Sequence, residues 1–96
     1  MLFRSVGDQT EVYLDGGIRS GQDVLKALAM GAKATLIGRS YIYGLGAMGQ
    51  DGVTAALEVI AKEIDTTMAL CGEREIGKFG AHNLMIPKDF EGDWKD

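Results

Sequence analysis

The 96-residue sequence is poor in the residues that build most covalent and metal-dependent sites, with one cysteine, one histidine and one proline. A single cysteine excludes a disulfide within the chain and a metal site made of several cysteines. No apolar run reaches the ~18–20 residues that cross a bilayer, and no signal peptide opens the chain. We therefore expect a cytoplasmic protein without a metal site.

Basic charge is also scarce, because 10 lysines and arginines face 14 acidic residues and give a net charge of −4. This balance argues against nucleic acid as a partner. The deficit is uneven: residues 1–50 hold five basic and four acidic residues, whereas residues 51–96 hold five and ten. An anionic ligand is therefore more compatible with the first half of the chain.

Glycine is abundant, with 14 residues, about twice its usual share of ~7%. Ten of them lie within the first 52 residues. Glycine allows backbone conformations and close approaches that a Cβ atom forbids, so this concentration predicts a backbone that lies close to a ligand.

The hydrophobic pattern predicts two short strands and two helices in alternation. We assign strands to residues 12–14 and 34–37, a helix to residues 20–30 and a long helix to residues 53–71, with one short helical turn at 40–43. Ser20 and Asp51 are the candidate N-caps of the two helices. Strand, helix and strand in this order predict a βαβ unit with parallel strands.

Each predicted strand runs into a loop that carries glycine and arginine. Such loops meet at the carboxyl end of a parallel sheet, where backbone N–H groups, a helix N-terminus near Ser20 and guanidinium groups can bind a phosphate. Asp15, at the end of the first strand, carries a carboxylate that would repel a phosphate but can accept hydrogen bonds from hydroxyl groups. The loops therefore favour a ligand that carries both a phosphate and hydroxyl groups. The alternative is that the glycines only make tight turns and both arginines pair with surface acids. The candidate residues are Asp15, Gly16, Gly17, Arg19, Gly38 and Arg39.

The order of elements matches the last quarter of a (β/α)8 barrel, whose phosphate site uses the loops after strands seven and eight and a short extra helix. We therefore predict an α/β fold, a C-terminal fragment of a TIM barrel that comprises about its seventh and eighth strand–helix units.

The motifs at 12–32, 37–39 and 44–53 make the interpretation specific. Val-Tyr-Leu-Asp-Gly-Gly-Ile-Arg-Ser-Gly, then Ile-Gly-Arg and Gly-Leu-Gly-Ala-Met-Gly, resemble the C-terminal part of the FMN-dependent α-hydroxy-acid dehydrogenases and oxidases, which include flavin L-lactate dehydrogenase, glycolate oxidase and mandelate dehydrogenase. The likeness continues through Thr67–Gly72 and covers roughly residues 6–76. Residues 1–5 are an atypical start, and residues 77–96 form a polar tail.

This resemblance implies FMN as cofactor and a lactate-like L-2-hydroxy acid as substrate, oxidised to a 2-oxo acid. It implies that Asp15, Gly16, Gly17 and Arg19 hold the ribityl chain and phosphate, and that Gly38 and Arg39 complete the phosphate clamp. Other FMN barrels, such as type 2 isopentenyl-diphosphate isomerase, share the Gly-Gly-Ile-Arg loop and remain an alternative. So does a non-catalytic phosphate- or flavin-binding half-barrel module.

The catalytic motif of the resembling family, Ser-Asn-His-Gly-Gly-Arg, does not occur in the sequence. We assign no catalytic residue and expect this chain to be inactive alone. We expect the only histidine, His82, to be a non-catalytic residue of the polar tail, since no carboxylate partner is evident nearby in the sequence, and we expect Cys71 to be a buried, inert thiol. Two strands leave open sheet edges, which predicts self-association. In the full-length protein, peripheral attachment at the inner membrane is an alternative to the cytoplasm.

Overall fold

The computed structural model describes residues 6–87. Its elements alternate as the sequence predicts, although their bounds differ in places. They are β1 (Tyr13–Asp15), α1 (Gly21–Ala29), β2 (Ala34–Leu36), α2 (Arg39–Met48), α3 (Gln50–Cys71) and two 3-10 turns (Ile76–Lys78 and Ala81–Asn83).

The two strands form a parallel sheet, as the βαβ pattern predicts. Tyr13 lies beside Ala34 and Asp15 beside Leu36, and the Lys33 N–H donates to the Val12 carbonyl at 2.8 Å just before the register begins. Because both strands run in the same direction, their carboxyl ends lie at one edge. This alignment brings the two glycine-bearing loops together.

Helix α1 connects the strands, and its start is fixed by local chemistry. The Ser20 hydroxyl accepts a hydrogen bond from the Asp23 N–H at 3.1 Å, which confirms Ser20 as the N-cap. Leu25 and Ala27 are buried and belong to a small apolar core. The other members of this core within the described residues are Val12, Ile18, Ala32 and Ile60.

The strand-forming residues at 12–14 predict a buried strand, but β1 is exposed. All three residues of β1 are exposed, and the Tyr13 side chain retains 56% of its accessible surface. The sheet formed by the described residues has only two strands, so β1 has a single strand neighbour. An apolar strand sequence indicates that the strand can be buried, but it does not indicate the partner. No strand other than β2 lies beside β1 within the described residues.

The short helical turn predicted at 40–43 is the first part of a longer, ten-residue helix, α2. Gly44 and Gly46 lie inside this helix, although glycine disfavours helix interiors. Gly44 is needed there because a Cβ atom at this position would overlap the Gly52 carbonyl of α3. The close crossing of two helix backbones therefore overrides the local preference.

Helix α3 spans 22 residues and begins before the predicted N-cap. Gly49 precedes it with φ +62°, and Asp51 lies in its first turn without a side-chain capping bond, so its prediction as N-cap is wrong. Gly72 ends the helix in the left-handed conformation, with φ +75°, as predicted. Cys71 is exposed rather than buried, because the last turn extends past the core.

The chain then continues through the two 3-10 turns without further long helices up to residue 87. No helix of the described part of the chain is long and apolar enough to span a membrane. The atypical start at 1–5 and the end of the polar tail, from 88 to 96, lie outside the described residues.

Candidate functional site: a cavity between two glycine loops

All six residues singled out from the sequence border one cavity. It has a volume of about 370 Å³ and lies at the carboxyl ends of β1 and β2. Its volume is near the lower end of small-molecule pockets, roughly 300–1,000 Å³. The lining residues are Asp15, Gly16, Gly17, Ile18, Arg19, Leu36, Gly38 and Arg39.

The glycines of the first loop are required by backbone geometry. Gly16 has φ +110° and Gly17 has φ +77°, conformations that residues with a side chain rarely adopt. Apart from the adjacent residues of the chain, no protein atom lies within 4 Å of the position that a Cβ atom would take at Gly16, Gly17 or Gly38. The loops therefore leave open space beside their backbone, into which a ligand can approach.

The second wall of the cavity is the N-terminus of α2. Gly38 is the N-cap of this helix and has no side-chain capping bond. The first intrahelical bond runs from the Ile42 N–H to the Gly38 carbonyl, which leaves the N–H groups of the first turn without helical partners. The partial positive charge at this end of a ten-residue helix favours an anion beside Gly38 and Arg39.

Arg19 and Arg39 supply the full positive charges of the cavity, and both are exposed. The ion pairs found within residues 6–87 are Lys78–Glu75 and His82–Glu73, so neither arginine is paired there. The alternative in which both arginines pair with surface acids finds no support in this part of the chain. Their guanidinium groups can each offer forked hydrogen bonds to a phosphate.

The expectation that the N-terminus of α1 faces the ligand is wrong. No residue of α1 lines the cavity, and two of its first three N–H groups have side-chain acceptors within the chain. Glu63 Oε1 accepts from the Gly21 N–H at 3.0 Å, and Ser20 Oγ accepts from Asp23. In addition, the Arg19 N–H donates to Asp23 Oδ2 at 3.0 Å. The helix whose dipole reaches the cavity is thus α2, the one predicted only as a turn.

Two supporting residues were missed by sequence reasoning. Ser40, on α2, donates its hydroxyl to the Ile18 carbonyl at 3.2 Å, and Glu63, on α3, holds the start of α1 from 42 positions away. Both contacts join residues that are distant in sequence. Ser40 follows Arg39 directly, but no local pattern indicates its partner.

His82 has a carboxylate partner, contrary to expectation. Its Nε2 atom lies 2.8 Å from Glu73 Oε2, and the Asn83 amide donates to the same oxygen at 3.0 Å. Hydrogen bonding from His82, and then from Asn83, lowers the pKa of the Glu73 carboxyl below its ordinary value of 4.5. The ionised carboxylate therefore favours the folded chain above the ordinary pKa, and this contribution is lost as the pH falls through the lowered one.

The Glu73 cluster is separate from the cavity, because none of its members lines it. It joins the end of α3 to the second 3-10 turn. A larger apolar cavity of about 530 Å³ lies beside this segment. It is bordered by α1, by the end of α3 with Cys71, and by residues between 79 and 87. It contains none of the predicted site residues. No cluster of three metal-ligating side chains occurs within residues 6–87.

Comparison with known proteins supplies the family. The family model described as FMN-dependent dehydrogenase matches residues 2–86. The chain belongs to the FMN-dependent dehydrogenase family. The match confirms the family resemblance of the sequence motifs and identifies FMN as the cofactor of this family.

The similar proteins have different names and roles. The chain is 43% identical over 90 residues to pre-mycofactocin synthase of Mycolicibacterium smegmatis. This alignment covers 94% of the chain and 23% of the synthase. It is 51% identical over 72 residues to L-lactate dehydrogenase of Caulobacter vibrioides. This alignment covers 75% of the chain and 19% of that dehydrogenase. A crystal structure of the monotopic membrane protein (S)-mandelate dehydrogenase aligns with a TM-score of 0.82 at 40% identity, over 88% of the chain and 23% of that protein.

The chain thus spans about a quarter of the length of the relatives it matches. The match with mandelate dehydrogenase combines high structural similarity with substantial identity, which supports a fragment of an FMN-dependent TIM-barrel fold. The geometry fits this cofactor: the open glycine backbone and the two arginines suit the phosphate, and Asp15 suits a hydroxylated chain.

Proposed function

We propose that this chain supplies the part of a flavin-dependent oxidoreductase that binds the phosphate and ribityl chain of FMN. The observation that carries this proposal is the convergence of Asp15, Gly16, Gly17, Arg19, Gly38 and Arg39 on one cavity. When bound, FMN accepts the two electrons of a substrate oxidation, and the protein positions and stabilises it.

The phosphate is assigned to the side of the cavity where positive charge accumulates. The backbone N–H groups at Gly38 and Arg39 begin α2, and the Arg19 guanidinium belongs to the opposite loop. Two arginines and a helix N-terminus together favour a doubly charged group over a neutral one.

The ribityl chain is assigned to Asp15, the last residue of β1. A carboxylate accepts hydrogen bonds from hydroxyl groups and repels a phosphate. The two ends of the ligand are therefore distinguished by charge, with the hydroxyls at Asp15 and the phosphate toward the arginines. This polarity would orient FMN in one direction across the cavity.

The proposed reaction of the whole protein is the oxidation of a lactate-like L-2-hydroxy acid to a 2-oxo acid. The support is the similarity of the chain to two enzymes, an L-lactate dehydrogenase and an (S)-mandelate dehydrogenase. The chain contains no His-Gly-Gly-Arg sequence, so we propose that it binds FMN but does not turn over a hydroxy acid alone. The absence of dye reduction with L-lactate would agree with this, and turnover would refute it.

A titration with FMN, followed by flavin fluorescence, tests the binding proposal. We expect saturable binding by the chain and weaker binding by Arg19→Ala and Arg39→Ala, by about ten-fold or more each, because each variant loses a charge-assisted contact worth about 1.5–3 kcal/mol. Arg74→Ala is the matched control, since Arg74 is exposed and does not line the cavity. Equal affinities for all four proteins would overturn the proposal.

The strands are proposed to be the seventh and eighth of the barrel, since the phosphate site of such barrels follows these strands. Both outer edges of the pair have no strand neighbour within the described residues, so we propose that the chain self-associates. A cooperative thermal transition of a monomer in circular dichroism would contradict this. The location in the cytoplasm or at the inner membrane stays a prediction.

A further inference from the structure

A single side chain connects the two loops that face each other across the cavity. The Ser40 hydroxyl, in the first turn of α2, donates to the Ile18 carbonyl of the first loop at 3.2 Å. Apart from the strand ladder, this is the only hydrogen bond between the two loops within residues 6–87. It spans 22 positions of sequence.

Both ends of this bond are held in place. Ile18 is 6% exposed and packs in the small core, so its carbonyl belongs to a fixed point of an otherwise glycine-rich loop. Ser40 is partly buried and lies next to Arg39 in α2. Ile18 and Arg39 themselves line the cavity, so the bond joins its two walls directly.

The Ser40 hydroxyl does not serve its own helix. Serine near a helix start commonly caps a free backbone N–H, but α2 has no side-chain cap and Ser40 directs its donor to the other loop. Without the hydroxyl, α2 would keep its own backbone bonds, while only the strand ladder that ends at Asp15 and Leu36 and side-chain packing would set the distance between Gly17 and Gly38. The helix and the loop spacing can therefore be separated by mutation.

We propose that Ser40 is a positioning residue that sets the spacing of the two loops around the phosphate of FMN. The inference rests on the proposed function. Arg19 and Arg39 reach a phosphate simultaneously only when the loops are the right distance apart, and the Ser40–Ile18 bond fixes that distance. The bond contributes through preorganisation, because the chain does not have to order the loops when the ligand binds.

The test compares FMN with riboflavin, which lacks the phosphate, on the full chain and on two variants. For Ser40→Ala we expect FMN affinity to fall about five-fold, the factor that corresponds to one net hydrogen bond of about 1 kcal/mol. Riboflavin affinity should stay within two-fold, so the preference for FMN decreases. Ser40→Thr keeps the hydroxyl and should restore the preference. Unchanged far-UV circular dichroism of Ser40→Ala checks that α2 is intact.

Each outcome has one meaning. If wild type does not prefer FMN to riboflavin, the proposed phosphate site fails, and the role of Ser40 fails with it. If wild type prefers FMN and Ser40→Ala keeps the same preference, the phosphate site stands and the positioning role is refuted. An equal loss of both ligands, or a loss that Ser40→Thr does not restore, identifies a general structural defect and also refutes the role.

Discussion

At the scale of single residues, the cavity depends on side chains that do not touch the ligand position. Glu63 is the main example, because its carboxylate accepts a hydrogen bond from the buried Gly21 N–H across 42 positions of sequence. A Cβ atom at Gly21 would overlap the Ile64 backbone and the Glu63 Cβ atom of α3, so the two helices approach each other closely here. Glu63 therefore connects α3 to the segment that follows the first loop.

We expect Glu63→Ala to lower the free energy of unfolding by about 1–3 kcal/mol, because the Gly21 N–H loses its acceptor at a site that water reaches poorly. Urea denaturation at matched chain concentration measures this change. Glu63→Gln keeps a carbonyl oxygen and should lose less. Glu58→Ala, on the exposed side of the same helix, should stay within about 0.5 kcal/mol of wild type. A Glu63→Ala variant as stable as Glu58→Ala would contradict this role.

The residue scale is also where sequence reasoning works best and fails most clearly. The cavity residues could be predicted because they stand next to each other in the sequence at the ends of the two strands. They are Asp15, the paired glycines and the arginines. Ser40, Glu63 and the Glu73 partner of His82 could not be predicted, since each depends on a contact with a residue nine or more positions away. Local patterns carry no information about such pairs.

At the scale of elements, the crossing of α2 and α3 explains the largest error of the sequence interpretation. Gly44 and Gly46 indicate a loop by composition, but Gly44 lies in a helix because its backbone contacts Gly52 directly. The β1–α1–β2 order was predictable, since strand and helix periodicities are local. The length of α2 was not, because the crossing stabilises a helix that glycine alone would weaken.

The two glycines of α2 provide a matched pair of variants. We expect Gly44→Ala to destabilise the chain by about 1–3 kcal/mol, because its Cβ atom would overlap the Gly52 carbonyl and force the helices apart. Gly46→Ala meets no atom within 4 Å and should raise stability by about 0.5–1 kcal/mol, since alanine favours a helix. Chemical denaturation of both variants gives the comparison. Equal effects of the two substitutions would show that the crossing is not tight.

At the scale of the whole molecule, a small core holds the helices while the sheet stays open. Half of the buried apolar residues lie in the helices: Leu25 and Ala27 in α1, and Ile60 in α3. The others lie beside the strands: Val12, Ile18 and Ala32. By contrast, Tyr13, Leu36 and Tyr43 are each at least 47% exposed. The exposure could not be predicted from the strand sequences, which indicate burial without naming the partner.

The cavity is bordered by the carboxyl ends of β1 and β2 and by the two loops that follow them. We expect this local site to bind FMN through the backbone N–H groups of the two loops. Amide hydrogen–deuterium exchange, read by mass spectrometry with and without FMN, tests it on single segments in any state of association. We predict slower exchange at residues 15–20 and 37–42 and no change at 66–87. Protection confined to 66–87, beside the larger apolar cavity, or protection nowhere, would contradict the claim.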